Sequence, residues 1–478
     1  MPGRFLNFFR PIGLVMPEVK APTRRVSFNE RLIWTGLVLV VYLIMTEIPL
    51  YGAVPMGVSD PFYYLRVIFA SNRGSLMELG IQPIVTAGMI IQLLGGSGII
   101  QVDQSNPEDR ALMSGVTKFF SLLMTSFIAI AYLLSGAYGT DLTLDTSLLI
   151  FIQLFFAGIV LMLLDELLQK GWGFGSGISL FIAAGVAQKI LWNTLSPLPF
   201  PAEEEMGKST GALIAYIQSL FNGENPLNAF LYRARLDAPT MLGLLSTAVL
   251  FLVVIYFQVL KVDLPVSYAR YRGFRGRYPV KFLYVSNIPV ILVSALLMDI
   301  SFVGQIIWSR FNSDNSHFLL NLLATYDPVT NEATGGLVKY VVGPRNFTQF
   351  LADPLRGLIY AGLMIGLCVV FAVVWVGIGG LGPKDVAEKI VNSGMQIPGF
   401  RRSVKPIQSV LERYIPSVTV LGAITVGAIA SISDFFGVFG SGMGILLTVG
   451  ILYQLYETIA GEQLAEMYPF IRRLIGKE

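Results

Sequence analysis

The sequence predicts an all-α polytopic membrane protein: ten transmembrane helices in two inverted five-helix halves, with a short re-entrant helix in the first half. Three observations lead to this reading. Of 478 residues, 54% are hydrophobic and 14% charged, and the mean hydropathy is +0.65, a balance that excludes the several soluble domains such a length would otherwise imply. Ten apolar stretches each reach the roughly 17 to 22 residues that a bilayer crossing requires. Matching short motifs recur at equivalent places in the first and last five stretches.

The chain opens on Phe5, Leu6, Phe8, Phe9 and Leu14 with Arg4 and Arg10, the pattern of an amphipathic helix on a membrane surface. Pro11 and Pro17 break it up, so no cleavable signal peptide is expected. Candidate spans follow near Leu32–Leu50, Met77–Leu94, Lys118–Gly136, Leu148–Leu168 and Ile178–Leu195, then Leu242–Leu260, Ile288–Trp308, Leu358–Val376, Pro416–Ile432 and Ile445–Ala460. Between the first two lies Pro61–Ala70, apolar enough for lipid but, at 1.5 Å per helical residue, only about half as long as a crossing. Ser71-Asn72-Arg73-Gly74 then breaks it. It reads either as a helix that enters a funnel in the protein and stops, or as a helix lying flat at the interface.

With the amino terminus inside, ten crossings return the carboxyl terminus to the same side, and the basic residues agree with that orientation. Arg4, Arg10, Lys20, Arg24, Arg25 and Arg31 precede span one; Lys261, Arg270, Arg272, Arg275, Arg277 and Lys281 follow span six; Lys384, Lys389, Arg401, Arg402, Lys405 and Arg413 follow span eight. Asp141, Asp145 and Glu203-Glu204-Glu205 fall outside. The chain thus divides into an amino-terminal half (1–195, with the short helix at about 60–71), an external loop (196–241), a carboxyl-terminal half (242–460, with inside loops 261–287 and 377–414) and a cytosolic tail (461–478).

Phe174-Gly-Ser-Gly177 precedes span five and Phe439-Gly-Ser-Gly442 precedes span ten; Ile81-Gln-Pro83-Ile-Val85 in span two has an echo in Ile288-Pro289-Val290-Ile291 in span seven. Five spans is an odd number, so the second half starts from the opposite face, as in inverted repeats that meet around a central path. Val262–Tyr284 carries strand-like stretches on either side of an Arg/Gly tip and predicts a hairpin in the cytosol. Its cations suit a phosphate-rich surface or anionic lipid, or serve only to set topology.

Catalytic signals are sparse. Gly207-Lys208-Ser209-Thr210 looks like the end of a phosphate loop, but Ala202 stands where that loop needs glycine and Glu203-Glu204-Glu205 would repel phosphate. One cysteine, Cys368, and one histidine, His317, leave no disulfide, metal cluster or catalytic dyad in view, and no cofactor is expected. Asp299, in the middle of span seven, needs a wet cavity, a proton or donors on neighbouring spans, for which Thr86 and Ser126 are candidates.

The motifs Leu79-Gly-Ile-Gln-Pro-Ile-Val-Thr86, Leu164-Asp-Glu-Leu167, Gly175-Ser-Gly-Ile-Ser-Leu-Phe181, Tyr278-Pro-Val-Lys281, Ser286-Asn-Ile-Pro289 and Arg413-Tyr-Ile-Pro416 resemble the SecY family, which includes the alpha subunit of the Sec translocon. The similarity covers nearly the whole chain, and Gly96-Ser-Gly-Ile-Ile-Gln101 and Ile397-Pro-Gly-Phe-Arg-Arg402 look archaeal. The resemblance implies a protein-conducting channel in the plasma membrane of an archaeon, or in the endoplasmic reticulum, with both termini cytoplasmic. It implies a pore ring of Ile81, Val85, Ile178, Ile182, Ile291 and Leu447, and a plug containing Pro61, Phe62, Tyr64, Leu65, Val67, Ile68 and Phe69. Spans two and three against seven and eight would form a lateral gate that includes Thr86, Ser126 and Asp299. Arg272, Arg275, Arg277, Arg401 and Arg402 would face a ribosome. Implied partners are small SecE/gamma-type and beta-type membrane subunits, signal sequences, nascent polypeptides and lipid. Two departures stand out: Asp299 replaces an amide of the relatives, and Ile128 replaces a residue that is polar in many of them. The rival reading is a secondary transporter of a small solute, also built from inverted repeats.

Overall fold

A computed structural model describes residues 9, 11, 16–24, 26–53, 70–96, 107–134, 138, 143–199, 207–233, 238–268, 275–283, 285, 287–312, 314–327, 333–344, 346–393, 395–396 and 403–467. Pro61–Phe69, Arg272, Arg401, Arg402, Asp141 and most of the amino-terminal amphipathic segment lie outside the described residues.

The first half contributes α1 (Phe28–Glu47), α2 (Gln82–Gly96), α3 (Pro107–Leu134), α4 (Leu144–Leu167) and α5 (Gly177–Leu195). Two short helices follow, α6 (Ala212–Phe221) and α7 (Pro226–Leu231). The second half holds α8 (Met241–Val259) and α9 (Asn287–Phe311), then the short helices α10 (Phe318–Leu323), α11 (Gly336–Val341) and α12 (Phe347–Ala352). It is completed by α13 (Pro354–Ile378), α14 (Pro383–Asn392), α15 (Val404–Phe435) and α16 (Gly442–Met467). Among the described residues, nine helices are long and apolar enough to cross a bilayer, and α2 is the tenth, shorter one.

Span two was expected to be helical from Met77, yet α2 begins at Gln82 and has 15 residues, about 22 Å against a hydrocarbon layer of about 30 Å. Local hydrogen bonding explains the delay. The Gly74 N–H donates to the Glu78 carboxylate and the Ser71 hydroxyl to the Glu78 carbonyl, while Gly80 takes a left-handed φ of +54° that a helix cannot continue through. Pro83 then falls in the first turn, where its missing N–H costs nothing. Non-helical backbone at this depth is buried in protein: Ser71, Ser75 and Glu78 are all inaccessible.

Span nine was expected to start at Pro416, but α15 runs unbroken through it from Val404. Ile407, Leu411 and Ile415, at i, i+4 and i+8, bury one face of this extension against Val386 and Ile390 of α14 and Val280 of the hairpin. Tertiary packing there outweighs the proline's intrinsic cost of about 3 kcal/mol. The hairpin itself is β1 (Lys261–Tyr268) against β2 (Arg275–Lys281), with Ser267 opposite Arg275. Two further strands, β3 (Thr325–Tyr326) and β4 (Ala333–Gly335), pair beside α10, and β5 (Met395–Gln396) adds to the free edge of β1.

The inverted repeat reaches down to individual hydrogen bonds. Phe174 N–H donates to Thr35 Oγ1 of α1 at 3.0 Å, and Phe439 N–H donates to Thr247 Oγ1 of α8 at 2.9 Å. Each threonine in turn donates to its own i−4 carbonyl, Arg31 or Gly243, at 2.7 Å. Asp165, ending α4, accepts from Ile178 N–H at 3.0 Å and from the Ser176 hydroxyl at 3.3 Å. Asp434, ending α15, accepts from Gly442 N–H at 3.2 Å and from the Tyr360 hydroxyl at 2.8 Å. Gly175 and Gly440, second in each motif, share a left-handed φ of +71° and +79°. A carboxylate at the end of one helix thus caps the start of the next, once in each half and on opposite faces of the bundle.

The halves meet along two seams. On one, α5 packs along α16; on the other, α2 meets α9 and α13. Arg31 Nη1 of α1 donates to both carboxylate oxygens of Glu462 of α16, at 2.6 and 2.8 Å, in an ion pair across the halves. At the same end, Glu166 of α4 holds Lys118 of α3 at 2.5 Å and the Val19 N–H at 3.2 Å. Lys170 holds Glu18 at 2.5 Å, and this hydrogen bond keeps the Glu18 carboxyl below the usual carboxylate range.

Thr35→Val and Thr247→Val should each destabilise the fold by about 1–3 kcal/mol, because a buried N–H loses its acceptor. Thr→Ser at either position should restore most of it. Thermal unfolding in detergent measures the difference.

Candidate functional site

One apolar cluster runs through the middle of the bundle and contains Ile81, Ile182 and Leu447, with Val85, Ile178 and Ile291 packed against it. The elements explain the convergence. Ile81 precedes α2 and accepts the N–H groups of Ile84 and Val85 at 3.1 and 3.0 Å, so it sits at the helix mouth with Val85 one turn on. Ile178 and Ile182 lie one turn apart at the start of α5, directly after the Asp165 cap. Ile291 is in the first turns of α9, and Leu447 in those of α16. Both helices carrying the repeated Gly-Ser-Gly motif therefore place their opening turns in this cluster. Ile81, Ile182 and Leu447 are inaccessible (0%, 1% and 0% exposed), whereas Val85, Ile178 and Ile291 are half-buried.

Ala70, the last residue of the short apolar stretch and 3% exposed, belongs to the same cluster. Its carbonyl accepts from the Tyr42 hydroxyl of α1 at 3.2 Å. On the other side is Gly185 of α5, one turn beyond Ile182: a Cβ there would stand 3.0 Å from the Tyr42 hydroxyl and 3.5 Å from Ala70 Cα. The following turn is strapped down by Asn72, which donates to the Thr46 carbonyl at 2.8 Å and accepts from Lys189 at 3.3 Å.

Asp299 faces the seam between α2 and α9. Its partner is Gln82, whose Nε2 donates to Asp299 Oδ1 at 3.1 Å, and neither of the expected partners. Ser126 donates to the Leu122 carbonyl of its own helix at 3.0 Å. Thr86 is buried one turn along α2 from Gln82, and both the Thr86 hydroxyl oxygen and Gln82 Oε1 are inaccessible without a hydrogen bond. Sequence reasoning missed Gln82, although its i, i+4 spacing to Thr86 puts both on one helix face. Ile128, the other departure, is buried with Tyr132 and Phe302, whose rings lie 4.8 Å apart across α3 and α9. At the end of this seam Arg310 Nε donates to the Leu134 carbonyl at 2.8 Å.

Of the arginines expected at the cytosolic surface, Arg275 and Arg277 lie on β2, and Arg277 is exposed at 3.5 Å from Asp263. β5 meets β1 opposite Ser267 and Tyr268, so the sheet carries the segment that leads towards Arg401 to the hairpin's tip end. Lys281, at the hairpin base, pairs with Glu457 of α16 at 3.0 Å and lies 4.9 Å over the Tyr453 ring. Lys208 of the phosphate-loop-like stretch is paired with Glu224 at 2.7 Å, and the Ser209 N–H donates to Gln218 Oε1.

Residues 75–456 match the SecY family, and residues 40–74 match the plug domain of Sec61p. The chain belongs to the SecY family. Its similarity to the protein translocase subunit SecY of Pyrococcus horikoshii is 45% identity over 467 residues, 96% of each chain. A structure of a protein-conducting channel superposes with a TM-score of 0.81 at 38% identity, covering 96% of this chain and 98% of that one. Sec61 in the canine ribosome–channel complex from the endoplasmic reticulum gives 0.78 at 38% identity, with the same coverage. The ten-helix SecY architecture in two inverted halves, with its plug domain, is thus the architecture of this chain, and the chain is a multi-pass membrane protein.

The single side-chain hydrogen bond from Gln82 to Asp299 makes a test possible. Asp299→Asn should keep the contact, since the amide oxygen still accepts. Asp299→Leu strands a buried Gln82 amide at about 1–3 kcal/mol, so it should favour parting of α2 from α9, whereas Gln82→Leu with Asp299→Leu should close the seam again. The minimum signal hydrophobicity that supports export reads the order: lowered in the single Leu variant, restored in the double. Gly185→Leu should displace Ala70 and the Tyr42 hydroxyl and lower the midpoint of thermal unfolding in detergent, while Gly185→Ala should change it little.

Proposed function

We propose that this chain is the pore-forming subunit of a Sec protein translocation channel. It passes unfolded secretory polypeptides across the membrane and releases transmembrane segments sideways into lipid. The observation that carries this reading is that six branched aliphatic side chains, drawn from both halves of the repeat, all belong to or pack against one apolar cluster. In this role Ile81, Val85, Ile178, Ile182, Ile291 and Leu447 form the pore ring. Such a collar grips a moving chain without hydrogen bonds to break, and it resists ions because stripping their water is costly.

The plug is the stretch containing Pro61, Phe62, Tyr64, Leu65, Val67, Ile68 and Phe69, and the burial of Ala70 beside Ile182's helix supports its seat against the ring. The lateral gate is the seam of α2 and α3 with α9 and α13, with Thr86, Ser126 and Asp299 joined by Gln82. Once it parts, an apolar segment gains a few tenths of a kcal/mol for each Leu, Ile or Val that moves into lipid. The chain does no covalent chemistry and needs no cofactor; a ribosome or a post-translational partner supplies the drive. Arg272, Arg275, Arg277, Arg401 and Arg402 bind the ribosome, SecE/gamma-type and beta-type subunits accompany the chain, and both termini are cytoplasmic. The archaeal relative supports a plasma membrane and the canine one leaves the endoplasmic reticulum as the alternative.

Site-specific photocrosslinking separates this from transport of a small solute. A stalled secretory chain should crosslink to probes at Ile81 and Ile182 and not to a lipid-facing probe at Leu252. Absence of crosslinks at both inner positions during active export would overturn the reading.

A further inference from the structure

The segment after α9 is built inside out relative to a soluble protein. Asn312, 2% exposed, donates from Nδ2 to Asn321 Oδ1 at 2.7 Å and accepts the His317 N–H at 3.0 Å. Trp308 Nε1 donates to Asn315 Oδ1 at 2.9 Å, and Asn321 Nδ2 donates to the Asn315 carbonyl at 2.9 Å. Asn315 adopts a left-handed φ of +53° and donates to the Tyr326 carbonyl at 3.2 Å. This asparagine network holds α10 against α9 and the β3–β4 pair with its polar face inward. What faces out is Phe318, Leu319 and Leu322, exposed by 75%, 78% and 60%. Phe311, at the end of α9, and Leu337 of α11, a helix that packs on α10, are exposed as well.

We propose that this patch is an interfacial anchor, seated in the lipid at the bilayer boundary where α9 ends. The occupant is lipid because the Asn312–Asn321 bond ties α10 to the end of α9, a helix long and apolar enough to cross the membrane whose last residue, Phe311, is itself exposed, and the outward positions of α10 are aliphatic or aromatic. Asp314, Ser316 and His317, all exposed, gather in the turn before α10, where they meet water and headgroups. A short helix that buries one face among headgroups and upper acyl chains fits this division. The anchor holds α9 at a constant depth, so parting of the gate seam must come from tilting or rotation of α9 rather than from its sliding along the membrane normal.

The test uses the full chain in phosphatidylcholine vesicles. The buried Cys368 is replaced by Ala, and Leu319→Cys, Leu322→Cys or Ser316→Cys is labelled with a nitrobenzoxadiazole fluorophore. Quenching by phosphatidylcholine brominated near the top of its acyl chains should be at least about threefold stronger at 319 and 322 than at 316, with iodide in the water showing the reverse order. Strong iodide quenching at 319 and 322 would mean a water-exposed face and overturn the proposal. Shielding of both sites from both quenchers would mean cover by protein and overturn it equally.

Discussion

Backbone that leaves helical geometry within a bilayer must find its hydrogen bonds in protein, and the rest of this structure depends on how that demand is met. Four residues answer it twice over. Asp165 and Thr35 hold the turn into α5; Asp434 and Thr247 hold the turn into α16. These two helices deliver Ile178, Ile182 and Leu447 to the central cluster in their opening turns, so the caps set the height at which those side chains enter it. A helix start that frayed by one turn would carry those side chains about 5 Å away from it.

The seam between α2 and α9 has a different chemistry. Apolar contacts such as Tyr132 on Phe302 are non-directional and re-form after separation, while the Gln82–Asp299 bond ties α2 to α9 at one point. Gln82 Oε1 and the Thr86 hydroxyl, buried on the same helix face, add no further bond across the seam. The opposite seam, α5 on α16, adds the Arg31–Glu462 ion pair at its end. The two sides are therefore unequal: one is clasped lightly, the other pinned by charge.

Much of this was legible in the sequence because lipid imposes a coarse grammar of apolar lengths. Helices such as Gly177–Leu195 and Met241–Val259 fall within a residue of the expected bounds. The errors lie where a side chain competes with the helix. Glu78 captures the Gly74 N–H and delays α2, and the packing of Ile407, Leu411 and Ile415 carries α15 across Pro416. In the site, the six aliphatic positions came from the family resemblance and not from periodicity; Ile81, Ile182 and Leu447 lie in the large apolar cluster, and Val85, Ile178 and Ile291 pack against it. Hydropathy could not find Gln82 or the Asp–Thr caps, since a hydrogen bond between distant residues leaves no periodic trace. The repeated Phe-Gly-Ser-Gly motif was the available clue to the caps, because an equal turn in each half calls for equal acceptors.

β5 is only two residues long, yet it stitches the loop between α13 and α15 to the one between α8 and α9. Lys281 then fastens that sheet to α16. Four loop-bearing helices and the last one are thereby gathered into a single handle, in which, among the described residues, no strand of the amino-terminal half takes part. A heavy particle that leaned on either loop would swing the carboxyl-terminal half as one lever, and the yielding point would be the lightly clasped seam.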